Sequence, residues 1–98
     1  MHEIYLYGRD GCHLCDEARA ILDQLLAERA AAGLAVPRVV ERDIDTDPAW
    51  LRAFMTTIPV IELDGRRIEL ANSPRRIARL LADVLDPTTP APAPTPGG

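Results

Sequence analysis

Tyr5-Leu6-Tyr7-Gly8-Arg9-Asp10-Gly11-Cys12-His13-Leu14-Cys15-Asp16-Glu17-Ala18 is the stretch on which the fold turns. Its front end belongs to Glu3-Ile4-Tyr5-Leu6-Tyr7, which alternates and is rich in β-formers, the pattern of a strand. Its back end opens a run in which Leu14, Ala18, Ile21, Leu22 and Leu25 recur at helical spacing. Cys12 and Cys15, the only cysteines of the chain, therefore fall where a strand gives way to the first turn of a helix. The N–H groups of a first turn have no partner inside the helix, and together with the positive end of the helix dipole they favour an anion. A thiolate is such an anion, and it is the form of cysteine that attacks disulfides. The placement suits thiol–disulfide exchange.

The residues leave other uses of the pair open. A closed structural zinc site is four-coordinate, and besides the cysteines the chain offers only His2 and His13 as histidine ligands. A metal bridged between two chains remains possible. Free cysteine also packs as a small hydrophobe, but Gly11, His13 and Asp16 around this pair do not make apolar surroundings.

At 98 residues the chain is long enough for one core and not for two. Its formal net charge of −4 points away from a nucleic-acid partner, which would meet a basic surface. No apolar run reaches membrane-spanning length. The N-terminus carries no basic segment followed by an apolar stretch, so no secretory signal is expected, and a reducing, cytoplasmic setting follows. There a close cysteine pair is more often catalytic than structural. A monomer is expected.

The ordered domain is expected over residues 1–86. From Pro87 to Gly98 the chain alternates proline with small residues and holds nothing to bury, which reads as a disordered, polyproline-type tail. Within the domain, a helix from about Cys12 to Ala32 should end at Gly33. A second strand is expected from Arg38 to Ile44. Asp47 then caps a short helix with Pro48 at its first position, and Trp50, Leu51 and Phe54 give it an apolar side, with Trp50 read as a core residue. Strands Val60 to Leu63 and Arg66 to Leu70 are joined by Asp64-Gly65, a pair that favours a type I′ hairpin turn. Ser73 caps a last helix with Pro74 in its first turn, burying Ile77, Leu80, Leu81, Val84 and Leu85, and Pro87 stops it. The order is β-α-β-α-β-β-α. An α/β architecture follows, with a mixed four-stranded sheet and helices on both faces.

Tyr7-Gly8-Arg9-Asp10-Gly11-Cys12-His13-Leu14-Cys15, followed far downstream by Thr57-Ile58-Pro59-Val60, resembles the glutaredoxin branch of the thioredoxin fold, and more narrowly the small bacterial glutaredoxin-like proteins. The resemblance spans residues 3–85. It implies a thioredoxin-like fold and a dithiol–disulfide oxidoreductase without a bound cofactor. Its substrates would be protein disulfides, and glutathione or a thioredoxin-reductase-type enzyme would supply electrons. Cys12 would be the nucleophile and Cys15 the resolving thiol. Arg9, where glutaredoxins often carry a lysine, would lower the thiolate pKa and hold a substrate carboxylate. Pro59 would be the family's cis-proline, and backbone at Ile58 would pair with an extended substrate. His13 is either a residue that tunes the sulfur or a solvent-facing helix position.

Two departures from the family stand out. The usual glutaredoxin pair encloses Pro-Tyr, and here it encloses His13-Leu14. Many glutaredoxins also carry a Gly-Gly…Asp stretch that receives the γ-glutamyl end of glutathione. The corresponding Leu70-Ala71-Asn72-Ser73-Pro74 has no glycine pair and no acid, although Ser73 could offer its hydroxyl and a helix N-terminus to an anion. Two non-enzymatic functions compete with the oxidoreductase: a metal or iron–sulfur module shared between chains, and a protein-binding adaptor switched by its disulfide.

Overall fold

The computed structural model describes residues 2–86. The expected tail and the stop at Pro87 lie outside them. The elements are β1 (Glu3–Gly8), α1 (His13–Ala31), β2 (Arg38–Asp43), α2 (Pro48–Phe54), β3 (Val60–Leu63), β4 (Arg66–Ile68) and α3 (Pro74–Leu85), with a 3₁₀ turn at Ile44–Thr46. They form one four-stranded sheet in the order β2-β1-β3-β4. β1 and β2 are parallel, with Glu3 beside Arg38 and Gly8 beside Asp43. β3 runs antiparallel to both β1 and β4.

Alternation along the strands divides the molecule into two packed layers. Ile4 and Leu6 of β1 and Ile61 and Leu63 of β3 meet Ala18, Leu22 and Leu26 of α1 and Ile77, Leu80 and Leu81 of α3. Fully burying an aliphatic side chain of this kind stabilises by about 1.5–3 kcal/mol, so this layer carries most of the fold. On the other face Tyr7 and Val60 pack against Ile44 and Phe54, and Trp50 lies half-buried beside them. Trp50 meets Tyr7 edge-on, with ring centroids 5.7 Å apart. Its face lies under the Arg42 guanidinium, 5.1 Å from the ring centroid.

The caps follow the local chemistry. The Asp47 carboxylate accepts from the Ala49 N–H at 2.8 Å and the Ser73 hydroxyl accepts from the Arg76 N–H at 3.3 Å. Asp64 and Gly65 take φ of 49° and 81°, both positive, as the tight hairpin requires. Two expected strand ends are corrected. β2 stops at Asp43, because the Asp43 carboxylate caps the following 3₁₀ turn by accepting from the Asp45 N–H at 2.9 Å. β4 stops at Ile68, because Leu70 takes a φ of 48° and donates its N–H to the Thr57 carbonyl at 2.9 Å. That bond turns the chain off the sheet edge. A third correction concerns Leu14, which belongs to the helical apolar pattern yet lies 42% exposed.

Candidate functional site

β1 ends at Gly8, and the turn Arg9-Asp10-Gly11 delivers the chain to Cys12. Gly11, with a φ of 78°, makes that turn possible, since a side chain there would be strained. Cys12 is the N-cap of α1: its backbone is extended, and its Sγ accepts from the Cys15 N–H at 3.1 Å. The sulfur thus takes the hydrogen bond that a serine or aspartate oxygen takes at other helix starts. Cys12 and Cys15 are joined as a disulfide, with Cα atoms 5.2 Å apart. Cys12 is half-buried and Cys15 is buried.

Gly8 is a member of the site that the sequence reading did not single out. A Cβ placed on it would lie 3.1 Å from both Cβ and Sγ of Cys15, so a side chain there would require Cys15 to give way slightly. A glycine closing the strand just ahead of the cysteines is the signal that could have found it. Gly8 also connects the cysteines to Pro59. β1 and β3 pair with Tyr7 beside Val60, and one further step of the same register sets Gly8 beside Pro59. Pro59 is fully buried, and its peptide bond with Ile58 is cis.

The loop between β4 and α3 closes on the same end of the sheet. Leu70 donates to the Thr57 carbonyl at 2.9 Å and Ala71 to the Pro59 carbonyl at 2.7 Å. The start of α1, the Thr57–Pro59 segment and the Leu70–Asn72 turn therefore sit together. Leu14 between the cysteines, Leu70 on the turn and Met55 just before Thr57 are large apolar side chains left exposed. On the Cys15 side a cavity of about 280 Å³ is lined by Gly8, Asp10, Asp16 and Arg19 among others.

The other residues named from the sequence lie as follows. Arg9 is not a free cation: its guanidinium forks onto Asp45, with Nη2 at 2.6 Å and Nε at 3.2 Å from the carboxylate oxygens. Asp45 went unnoticed in the sequence because nothing local marks a residue so far along the chain as a partner. The His13 side chain is 88% exposed, with Nε2 3.8 Å from the Glu17 carboxylate, which is the solvent-facing alternative. The Ile58 N–H donates to the Phe54 carbonyl at 3.1 Å. Strand addition at Ile58 would thus use its carbonyl, or would have to open that bond. The Ser73 hydroxyl is already the acceptor at its own helix start. Among the described residues no group of three or more His, Cys, Asp or Glu side chains converges as metal ligands, and no helix is long and apolar enough to cross a membrane.

Residues 3–85 match the family model of a glutaredoxin-like domain (DUF836). The X-ray structure of Northeast Structural Genomics target protein XcR50 from X. campestris is similar to this chain, with 30% identity and a TM-score of 0.66 over 82% of this chain and 96% of that one. The solution structure of the same target protein aligns at 30% identity with a TM-score of 0.64, over 82% of this chain and 92% of that one. Among curated proteins none matches the chain.

Proposed function

The chain belongs to the glutaredoxin-like domain family and has its thioredoxin-like fold, and from that premise we propose that it is a dithiol–disulfide oxidoreductase in which Cys12 attacks and Cys15 resolves. The observation that carries this reading is the unequal setting of the two sulfurs: Cys12 caps the helix and is partly accessible, while Cys15 is buried behind it. An N–H aimed at a sulfur stabilises the thiolate over the thiol, which lowers the pKa and raises the fraction of the attacking form.

The Cys12 thiolate attacks one sulfur of a substrate disulfide. A mixed disulfide forms as the substrate bond breaks, and the departing thiolate takes a proton from water. Cys15, its own proton passed to water, then attacks Cys12 Sγ. That step leaves Cys12 bonded to Cys15 and frees the second substrate thiol, two electrons having moved from protein to substrate. A disulfide between neighbours one turn apart, as here, is the end product of the cycle. Glutathione or a reductase returns it to the dithiol. Leu14, Leu70 and Met55 give a protein substrate apolar surface to rest on around the sulfur.

The test is trapping. Reduced Cys15→Ser, mixed with a disulfide-bonded protein substrate, should accumulate a stable mixed disulfide through Cys12, and reduced Cys12→Ser should accumulate none. Equal trapping by both variants would reverse or abolish the assignment. Purified protein should also be colourless, and a visible absorption band would favour an iron–sulfur module over the oxidoreductase.

A further inference from the structure

The charge of this chain is unevenly distributed. Residues 66–79 hold five of the eleven arginines, Arg66, Arg67, Arg75, Arg76 and Arg79, and one of the fifteen acids, Glu69. A chain of net charge −4 is thereby split into a segment of +4 and a remainder of −8. The fold gathers the segment at one edge. β4 pairs only with β3, and alongside it Arg66, Arg67, Arg76 and Arg79 line a groove of about 340 Å³ with the apolar Ile68 and Leu80 and one acid, Asp83. An adjoining groove of about 580 Å³ shares Arg67 and Arg76, carries one acid, Glu69, and runs to Leu70.

These arginines are poorly neutralised. Elsewhere Arg9, Arg19 and Arg29 meet carboxylates at 2.6, 2.8 and 2.5 Å. In the groove Asp83 alone faces Arg66 and Arg79, at 3.8 and 4.0 Å. Arg76 donates to the Leu70 carbonyl at 3.2 Å, and Arg67 lies 5.2 Å over the Phe54 ring. Among the described residues Arg76 has no carboxylate at ion-pair distance, while Arg67 turns to the Phe54 face of the sheet, where its cross-strand neighbour is Glu62. Charges on an edge strand deter pairing with other strands, and that accounts for Arg66 and Arg67. It does not account for Arg76 and Arg79, which project from a helix into the same groove.

Resting on the redox reading above, we propose that this groove receives an acidic, extended segment of the protein partner whose disulfide is presented to Cys12. The groove leads into the site: Arg76 holds the Leu70 carbonyl, and Leu70 and Ala71 are hydrogen-bonded to Thr57 and Pro59. Guanidinium groups match carboxylates in a planar, two-pronged geometry. A long polyanion such as nucleic acid would extend past the groove and meet the −8 remainder, whereas a short acidic segment would not. Steering of this kind raises the association rate and falls with salt.

Two measurements on the full chain test the proposal and separate it from the redox reading. In the first, reduced protein turns over two disulfide peptides that differ only in glutamate or glutamine flanks. The expected result at low ionic strength is a kcat/KM about tenfold higher for the glutamate peptide. That ratio should shrink as salt is added and fall to one in the Arg76→Glu/Arg79→Glu variant. Equal kcat/KM for the two peptides in the wild type overturns the proposal. In the second, anisotropy of labelled octaglutamate and octaglutamine is followed with the oxidised protein, which needs no turnover and so survives a failure of the redox reading. Binding of octaglutamate alone, lost in the variant, supports the proposal. No preference, or tighter binding to an oligonucleotide or to anionic vesicles than to octaglutamate, overturns it. An exposed pair such as Arg76 and Arg79 should leave folding intact, and circular dichroism of the variant checks this; the single Arg79→Gln variant, with an intermediate ratio expected, repeats the test if it does not.

Discussion

The sulfur of Cys12 is a helix cap, and in the proposed function it is also the nucleophile; the two roles would reinforce each other. As a thiol it is a weak acceptor for the Cys15 N–H; as a thiolate it is a strong one, so reduction and ionisation should tighten the cap seen at 3.1 Å. Nearby side-chain charge contributes little, because Asp45 holds Arg9 and the other charges next to the pair in sequence are Asp10 and Asp16. Stabilisation of a Cys12 thiolate would therefore rest mainly on backbone N–H groups and the helix dipole. Alkylation of the reduced protein should show a Cys12 midpoint below the free value of ~8.5, in the range of roughly 3.5–7.5, with Cys15 slower. Asp45→Asn frees Arg9 and should lower that midpoint further. Arg9→Ala leaves Asp45 uncompensated and should raise it. Because both side chains are partly exposed and screened, each shift should be under about one unit. If both variants titrate like the wild type, Arg9 has no part in the site, whatever its position in the motif.

At the other end of α1 the chain uses an arginine to join elements. Arg29 is 8% exposed. Its Nε donates to the Ala35 carbonyl at 2.7 Å, and its two terminal nitrogens donate to the Asp86 carboxylate at 2.5 and 3.3 Å. One guanidinium thus pins the loop after α1 and the end of α3 to the same helix. The hydrogen bond from Arg29, with the guanidinium charge behind it, holds the Asp86 carboxyl below its ordinary value of 3.8. A depressed carboxyl pKa means the folded state binds its proton less tightly than the unfolded one. The contribution is therefore complete above the ordinary value and is lost as pH falls through the folded value. Melting temperatures of wild type and Asp86→Asn, measured from neutral pH downwards, should differ by a constant amount until about pH 4 and then converge. A gap that stays constant into strong acid would show that the pair is not coupled to stability. Features of this kind also mark where sequence reading stops. The caps at Asp47 and Ser73, the Asp64-Gly65 turn and the helix opening at the cysteines were legible because each depends on residues two to four apart. Arg9 with Asp45 and Arg29 with Asp86 are separated by 36 and 57 residues, and no periodicity carries such pairings. The exposure of Leu14 and the close contact of Gly8 with Cys15 depend in the same way on which segments the fold brings to one end of the sheet.

Seen as a whole, the molecule sets a cysteine helix beside a cis-proline strand, and on the proposed function the turn into α3, which departs from the glutaredoxin pattern, should set the substrate preference. Glutathione presents a carboxylate at each end, and an anion brought to a site without donors loses hydration that nothing replaces. Many glutaredoxins meet the γ-glutamyl end with a glycine pair and an acid at the turn into the last helix. In this chain that turn is Leu70-Ala71-Asn72-Ser73, and three of its backbone donors are already directed inward. The Leu70 and Ala71 N–H groups serve the Thr57 and Pro59 carbonyls and the Asn72 N–H serves the Leu70 carbonyl at 2.9 Å, while the oxygen of the Ser73 hydroxyl accepts at its own helix start. Arg9, the candidate for the other carboxylate, is engaged by Asp45. Leu14 and Leu70 offer apolar area, which suits a protein surface better than a tripeptide. Protein disulfides should therefore be better substrates than glutathione mixed disulfides. The measurement is kcat/KM on an intramolecular protein disulfide against kcat/KM on a glutathionylated peptide, with the electron donor saturating in both. The protein disulfide should be favoured by about tenfold or more, since one unreplaced hydrogen bond to a charged group corresponds to roughly 1.5–3 kcal/mol. Asp45→Asn, by releasing Arg9, should narrow the gap from the glutathione side. Faster deglutathionylation that saturates at low substrate would instead mean that the turn recognises glutathione through groups it exposes only on binding, and the preference argued from its inward donors would be wrong.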